Sequence, residues 1–147
     1  MTTIRDFLTD DHRRCDDLLA AAEQALAAGK PADAALALGA FRDAMLAHFA
    51  AEEETLFPAF ELATGMSGGP TQVMRMEHSQ IRMLLDDAVD ALQAGNSEDY
   101  QGIAETLVIM MQQHNMKEEN ILYPMCDQHL AADGPALLER ISGKLAA

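Results

Sequence analysis

The sequence predicts an all-α fold, an up-down-up-down antiparallel four-helix bundle followed by a short C-terminal helix. Apolar residues make up 49% of the 147 residues, and few residues are β-branched, which favours helices over strands. In four long segments the apolar positions recur at intervals of three and four, which is the spacing of a buried helix face. The chain also repeats itself at an offset of 66 residues, which predicts an internal two-helix repeat.

Clusters of helix-breaking residues set the boundaries of the predicted helices. Loop signals rich in glycine, proline and asparagine lie at 29–31, 65–70 and 95–97, with a weaker one at 133–135. The helices predicted between them are 3–28, 32–57, 71–94 and 98–123, with a tail helix at 136–145. Pro58 and Pro124 are expected to end or kink the helices that precede them. Short loops between long helices predict antiparallel neighbours.

Each apolar stripe is interrupted by a histidine, and two stripes also contain a glutamate. The fourth stripe, for example, runs Ile103, Leu107, Met111, His114, Glu118, Ile121, Met125. Buried ionisable groups are costly unless they are paired or bind a metal. Six such groups on four inward faces therefore predict one shared metal site. The predicted ligands are His12, His48, Glu52, His78, His114 and Glu118.

The repeat relates these six residues in pairs. His12 corresponds to His78, His48 to His114, and Glu52 to Glu118, and the match extends to Phe57 with Tyr123 and Pro58 with Pro124. About sixteen residues, or roughly 24 Å of helix, separate His12 from the first loop, and about the same length leads back to His48. The histidines of each hairpin are thus expected at one height, with a glutamate four residues after the second.

Four imidazoles and two carboxylates favour two metal ions over one. Structural zinc sites usually have four ligands, often cysteine, whereas calcium and magnesium prefer oxygen ligands. No H-E-x-x-H or E-x-x-H pattern is present, which argues against that metalloprotease pattern and against the ferritin-like one. Two histidines for each ion, with both glutamates bridging, suit iron or manganese, while zinc or copper could compete.

Several nearby residues are weaker candidates. Glu53 and Glu119 are expected to be solvated or to lie behind the ligands, although an irregular helix near the prolines could make them ligands instead. Asp11 and Glu77 could accept hydrogen bonds from histidine N–H groups. Arg82 and Asp16 either pair with each other at the mouth of the site or lie on the surface. Cys15 is either a small residue of the apolar core or a neighbour of the metal pocket. His129 is expected to lie outside the site.

The charge and the apolar pattern limit the partners. A net charge of −14 would repel nucleic-acid phosphates and anionic membrane surfaces. The sequence has no run of apolar residues long enough for a membrane span and no secretory signal pattern at its start. These features predict a cytoplasmic protein without nucleic-acid or membrane partners.

The doubled motif, D-H with H-F-A-A-E-E-x-x-L-F-P and then E-H with H-N-M-K-E-E-x-x-L-Y-P, resembles the hemerythrin-like, or HHE cation-binding, domain. The resemblance covers about residues 4–130. It implies a single domain over 1–147, with repeat halves at about 4–64 and 70–130, around an oxo- or hydroxo-bridged centre of two iron ions. By this resemblance His12 and His48 bind one iron, His78 and His114 bind the other, and Glu52 and Glu118 bridge.

The resemblance implies a non-haem di-iron protein that binds a diatomic gas, O₂ or NO, in sensing or stress response. Oxygen-carrying hemerythrins have a further histidine four residues after the position of His78, where this chain has Arg82. The symmetric ligand set is therefore more similar to bacterial members linked to nitric oxide stress and iron–sulfur repair. Two alternatives stay open: an enzyme or repair protein that reduces peroxide or NO or donates iron, and a structural metal-binding or partner-binding domain.

Overall fold

The computed structural model describes residues 2–146 and shows an all-α bundle, without strands in that range, as predicted. Four long helices form the bundle, in two antiparallel hairpins, and a further helix follows at the C-terminal end. In chain order the elements are α1 (Ile4–Ala27), α2 (Pro31–Ala51), π1 (Glu52–Leu56), α3 (Phe57–Thr64), α4 (Pro70–Gln93), α5 (Ser97–Lys117), π2 (Glu118–Leu122), α6 (Tyr123–His129) and α7 (Gly134–Ala146).

The internal repeat extends to the helix boundaries. The starts and ends of α1 and α2 correspond to those of α4 and α5 at the offset of 66 residues, and π1 corresponds to π2 in the same way. The turns between the helices of each hairpin also match, because Gly29 and Gly95 both adopt a φ of 73°. Glycine takes this left-handed conformation without steric cost, which allows a tight turn after each helix.

The expected interruption at Pro58 and Pro124 takes the form of a π-helical turn. The N–H of Phe57 donates to the carbonyl of Glu52, and that of Tyr123 donates to the carbonyl of Glu118, so each bond spans five residues. The helix then continues through the proline into α3 or α6 instead of ending at 57 or 123 as predicted. Proline occupies an early position of the new helix, where its missing N–H costs little.

The π-helical turn after Lys117 also changes which residue is buried in the core. Ile121 is 56% exposed, whereas Leu122 is 1% exposed. The prediction of Ile121 was wrong because a stripe at α-helical spacing cannot follow a turn that contains an extra residue. Leu56, the repeat counterpart of Leu122, is fully buried.

A layer of polar residues divides the apolar interior into two cores. The first core, which includes Cys15, Leu19, Phe41 and Leu107, fills the bundle toward the Gly29 and Gly95 turns. The second core surrounds Phe57 and is closed by α7 through Leu137 and Ile141. The buried histidines and glutamates lie between them, so helices packed on both sides fix their positions.

One helical stretch, Pro31–Thr64, is long and apolar enough by length and composition to cross a membrane. It includes α2, and 44% of its most apolar window is buried inside the bundle. A core helix of a soluble protein passes the same test, and this helix has the buried polar residues His48 and Glu52 on its inner face.

Candidate metal centre

The structure brings all six predicted ligands into one buried layer. None of them is more than 4% exposed. His12 and His78 lie in the first halves of α1 and α4, whereas His48 and His114 lie in the last turns of α2 and α5. The two glutamates begin the π-helical turns. The layer consists of His12 on α1, His48 on α2, Glu52 on π1, His78 on α4, His114 on α5 and Glu118 on π2.

The Nε2 atoms of all four histidines point to the two glutamates. The Nε2 atoms of His12 and His114 each lie 3.2 Å from Oε1 of Glu118. Oε1 of Glu52 lies 3.1 Å from Nε2 of His78 and 3.5 Å from Nε2 of His48. Each carboxylate is therefore shared between a histidine of its own helix and one from the other half of the repeat.

The donor atoms form two overlapping groups. Glu52, His78, His114 and Glu118 form one group, and His12, His48 and Glu118 form the other, with all donor atoms of a group within 4.8 Å of one another. Glu118 belongs to both groups. Two metal positions that share a carboxylate fit this arrangement better than a single position does.

Four buried atoms of the first group make no hydrogen bond of good geometry with residues 2–146, although Nε2 of His78 and Nε2 of His114 lie 3.1 and 3.2 Å from carboxylate oxygens. They are Oε1 of Glu52, Nε2 of His78, Nε2 of His114 and Oε2 of Glu118. Buried polar atoms in proteins are nearly always satisfied, so four together need an explanation. A metal ion among two imidazoles and two carboxylates would satisfy all of them, and the donor set therefore fits a bound cation.

Every histidine of the layer is held from behind by a carboxylate. The Nδ1–H of His48 donates to Asp11 over 2.7 Å, and that of His114 donates to Glu77 over 2.9 Å. Since a carboxylate can only accept, Nδ1 carries the proton, and Nε2 is free to present a lone pair to a metal. The suggested role of Asp11 and Glu77 is borne out, but each serves the histidine of the adjacent helix.

The other two carboxylates cross between the halves of the repeat. Glu53 accepts from Nδ1 of His78, and Glu119 accepts from Nδ1 of His12, both over 2.7 Å. Glu53 and Glu119 therefore lie behind the proposed ligands, which is one of the alternatives predicted from the sequence. Arg82 donates to both carboxylate oxygens of Glu53, so it takes part in this half of the site and does not pair with Asp16.

Buried imidazoles and carboxylates of the layer shift each other's pKa values. Burial would lower the pKa of His48, but the charge of Glu52 and the hydrogen bond to Asp11 outweigh it and raise the pKa to about 10. Burial also opposes the charged form of His114, yet the charge of Glu118 raises its pKa to about 9. Burial raises the pKa of Glu52, but the charge of His48 holds it well below the usual value. Buried carboxylates thus require positive charge, which protons or metal ions can supply.

Tyr123 is a member of the layer that the sequence analysis missed. Its hydroxyl donates to Oε2 of Glu52 over 2.7 Å and lies within 3.3 Å of the Nε2 atoms of His12 and His48. Burial, together with the charges of Glu118 and Glu52, raises the pKa of this phenol well above its usual value. A signal was present in the sequence, because Tyr123 is the polar counterpart of Phe57 in the repeat.

Two of the weaker candidates lie apart from the layer. His129 is exposed and packs edge-on against Phe60, with ring centroids 6.1 Å apart, as expected for a residue outside the site. Cys15 is a buried free thiol of the apolar core, and burial raises its pKa to about 12. Cys15 belongs to neither of the two groups of potential metal donors.

A family model described as the hemerythrin HHE cation-binding domain matches residues 3–126. The chain belongs to this family. The match confirms the resemblance seen in the doubled motif and ends before α7 begins. Searches of curated proteins and of solved structures gave no match. Family membership and the buried histidine–glutamate layer together indicate a metal-binding protein.

Proposed function

We propose that this hemerythrin-family protein is a non-haem di-iron protein that binds a diatomic gas, O₂ or NO, in sensing or stress response. His12 and His48 would hold one iron, His78 and His114 would hold the other, and Glu52 and Glu118 would bridge. The observation that carries the proposal is the set of four unsatisfied buried atoms around Glu52 and Glu118. Their chemistry, two imidazole nitrogens and two carboxylate oxygens, is that of a metal shell.

The choice of iron follows from the ligand types. Imidazole and carboxylate together suit iron or manganese, and the described part of the chain places no thiolate in the layer. When bound, reduced iron would supply the affinity for O₂ or NO. The chain's own residues orient the imidazoles, because each Nδ1–H is fixed by a carboxylate, and such partners typically strengthen metal binding about 10- to 100-fold.

The enclosure of the layer favours a small ligand. The ring of Phe49 stacks on His78 with centroids 3.9 Å apart, and the ring of Phe57 covers the same imidazole at 5.7 Å. Apolar rings this close to the imidazole exclude bulk water from this side of the layer. A cleft of about 690 Å³ between α1 and α5 is lined by Glu119, which accepts a hydrogen bond from His12, and we propose this cleft as the route of a small ligand toward the layer.

The direct test is the response of the reduced, iron-loaded protein to NO. We expect about two irons per chain and a change in the visible spectrum when NO is added without oxygen. Glu118→Gln, which removes the charge of the carboxylate common to both groups, should lose this response. The matched control, Glu54→Gln, alters an exposed carboxylate and should retain it. Full iron loading with a spectrum inert to O₂ and NO would contradict the proposal.

The same preparation separates the alternatives. Turnover of peroxide or NO faster than by free iron would favour the enzyme or repair role over simple binding. A metal that neither exchanges nor responds to azide would favour a structural site. The cytoplasmic location and the lack of nucleic-acid and membrane partners remain predictions from the acidic composition.

A further inference from the structure

The hydroxyl of Tyr123 lies at the centre of four potential metal donors. Its oxygen is 2.7 Å from Oε2 of Glu52 and 3.1 Å from Oε1 of Glu118. It is also 3.3 Å from Nε2 of His12 and 3.2 Å from Nε2 of His48. Two of these donors are the complete histidine pair of one proposed metal position, and the other two are the carboxylates between the positions.

The π-helical turn explains how Tyr123 reaches this place. Tyr123 follows Glu118 by five residues, and in an α-helix with 3.6 residues per turn the two side chains would point in clearly different directions. In π2 the N–H of Tyr123 bonds to the carbonyl of Glu118 itself. The wider turn brings Tyr123 back to the face of Glu118, and single π turns of this kind are frequent at functional sites.

The spacing of these contacts matches that between neighbouring ligands of one ion. Metal–ligand bonds of about 2.1 Å in an octahedral shell place adjacent ligand atoms about 3 Å apart. The four distances around the phenol oxygen fall near this value. A single O–H, in contrast, can donate only one hydrogen bond. The O–H of Tyr123 donates to Glu52. If the Nε2 atoms present lone pairs to a metal, the contacts of the phenol oxygen with Glu118, His12 and His48 would each place two acceptor atoms side by side. A cation among these atoms would remove the repulsion.

The other half of the repeat has a different residue at this position. Phe57 is the counterpart of Tyr123 and carries no hydroxyl; its ring stacks on His78. The four unsatisfied atoms belong to the group of His78 and His114, whereas the Nε2 atoms of His12 and His48 contact the phenol. The two proposed metal positions therefore differ by one oxygen atom supplied by the chain.

We propose that the phenol oxygen of Tyr123 is a seventh protein ligand and binds the metal ion held by His12 and His48, so that the two ions are chemically unequal. The inference rests on the proposed metal centre. On binding, the phenol O–H bond breaks, the proton passes to solvent and an oxygen electron pair is shared with the metal, with no change in oxidation state. A bound cation favours the anionic form of a ligand that burial alone would keep neutral.

The test is the spectrum of the oxidised, iron-loaded protein. We expect a visible phenolate-to-iron(III) charge-transfer band and resonance-enhanced ring vibrations that shift when the tyrosines are ring-deuterated. Tyr123→Phe should lose both signals and keep about two irons per chain. The matched control is Tyr100→Phe, because Tyr100 is the other tyrosine of the chain and donates to Glu23, away from the layer. It should retain both signals.

The repeat supplies a gain-of-signal variant. Phe57→Tyr places a phenol at the matching position of the other half and should strengthen the band by about twofold. Isotope labelling of the unsubstituted protein keeps the inference testable if Tyr123→Phe does not fold.

Three results would overturn the inference. The first is two irons per chain without a phenolate signal, and the second is a phenolate signal that survives Tyr123→Phe. The third is an iron content that rises from about one to about two per chain in Tyr123→Phe, because it would show that the phenol occupies a metal position. Only the first two leave the di-iron proposal standing. A chain that binds no iron would refute both.

Discussion

The two halves of the repeat share every helix boundary of their hairpins and differ in the residues around their histidines. In the second hairpin, Arg82 donates to Glu53, which in turn fixes His78. The repeat counterpart of Arg82 is Asp16, which lines the same cleft as Glu119. The guanidinium of Arg82 thus pairs with Glu53 behind His78. At the corresponding position near His12, Asp16 instead adds a second carboxylate to the cleft of Glu119. The backbone repeat fixes where ligands lie, whereas single substitutions make the halves unequal.

The same contrast appears in the polar layer itself. Around His12 and His48 the hydroxyl of Tyr123 contacts the inward nitrogen atoms. Around His78 and His114 those atoms are unsatisfied, and aromatic rings lie against the imidazole. We expect variants that break one half to have different consequences from those that break the other.

The largest effect is expected from Glu118→Gln, because Glu118 belongs to both donor groups. Loss of its charge would remove one of the two proposed bridging carboxylates and half of the negative charge that the two glutamates supply to bound cations. Iron content, measured on purified protein, should fall from about two per chain to below one. Far-ultraviolet circular dichroism should stay helical. Undiminished iron in this variant would show that the carboxylate is not shared.

Intermediate effects are expected from removing one histidine of each half. His78→Ala and His12→Ala should each reduce iron content to about one per chain, since each leaves the opposite pair of histidines intact. The iron retained by His78→Ala should keep the phenolate signal, and that retained by His12→Ala should not. Loss of all iron in both variants would mean that the two positions load only together.

The smallest effect is expected from Glu53→Gln, which keeps the shape of the side chain but weakens its hold on His78. The hydrogen bonds to His78 and Arg82 outweigh burial and lower the pKa of Glu53 to about 2, so the carboxylate is charged throughout the neutral range. Iron affinity at the His78 position should fall about 10- to 100-fold, as measured by competition with a chelator. Glu54→Gln, at an exposed position, should leave affinity unchanged.

Much of the fold and the convergence of the six candidate ligands in one layer were predictable from sequence, because these positions follow α-helical spacing. His48 and Glu52 lie four residues apart on one helix face, and the repeat reproduces this pair as His114 and Glu118. Residues beyond the glutamates were not predictable in the same way. The π turns shift the phase of the helix, so Leu122 replaces Ile121 in the core and Tyr123 turns into the layer.

The carboxylates behind the histidines show a second limit of sequence reasoning. Asp11 precedes His12 in the chain, yet it bonds to His48 on the neighbouring helix. Glu119 bonds to His12, which is 107 positions away in sequence. Such pairings depend on helix rotation and on the distance between helices, and residue spacing within one helix contains neither.

Together, the two proposals require two iron ions at unequal positions in one chain. The most direct test is an anomalous difference map from crystals of the iron-loaded protein, with data collected at the iron absorption edge. We expect two peaks for each chain, one between His12, His48 and the hydroxyl of Tyr123, and one between His78 and His114. A single peak, or peaks that follow the absorption edge of zinc and not that of iron, would contradict this expectation.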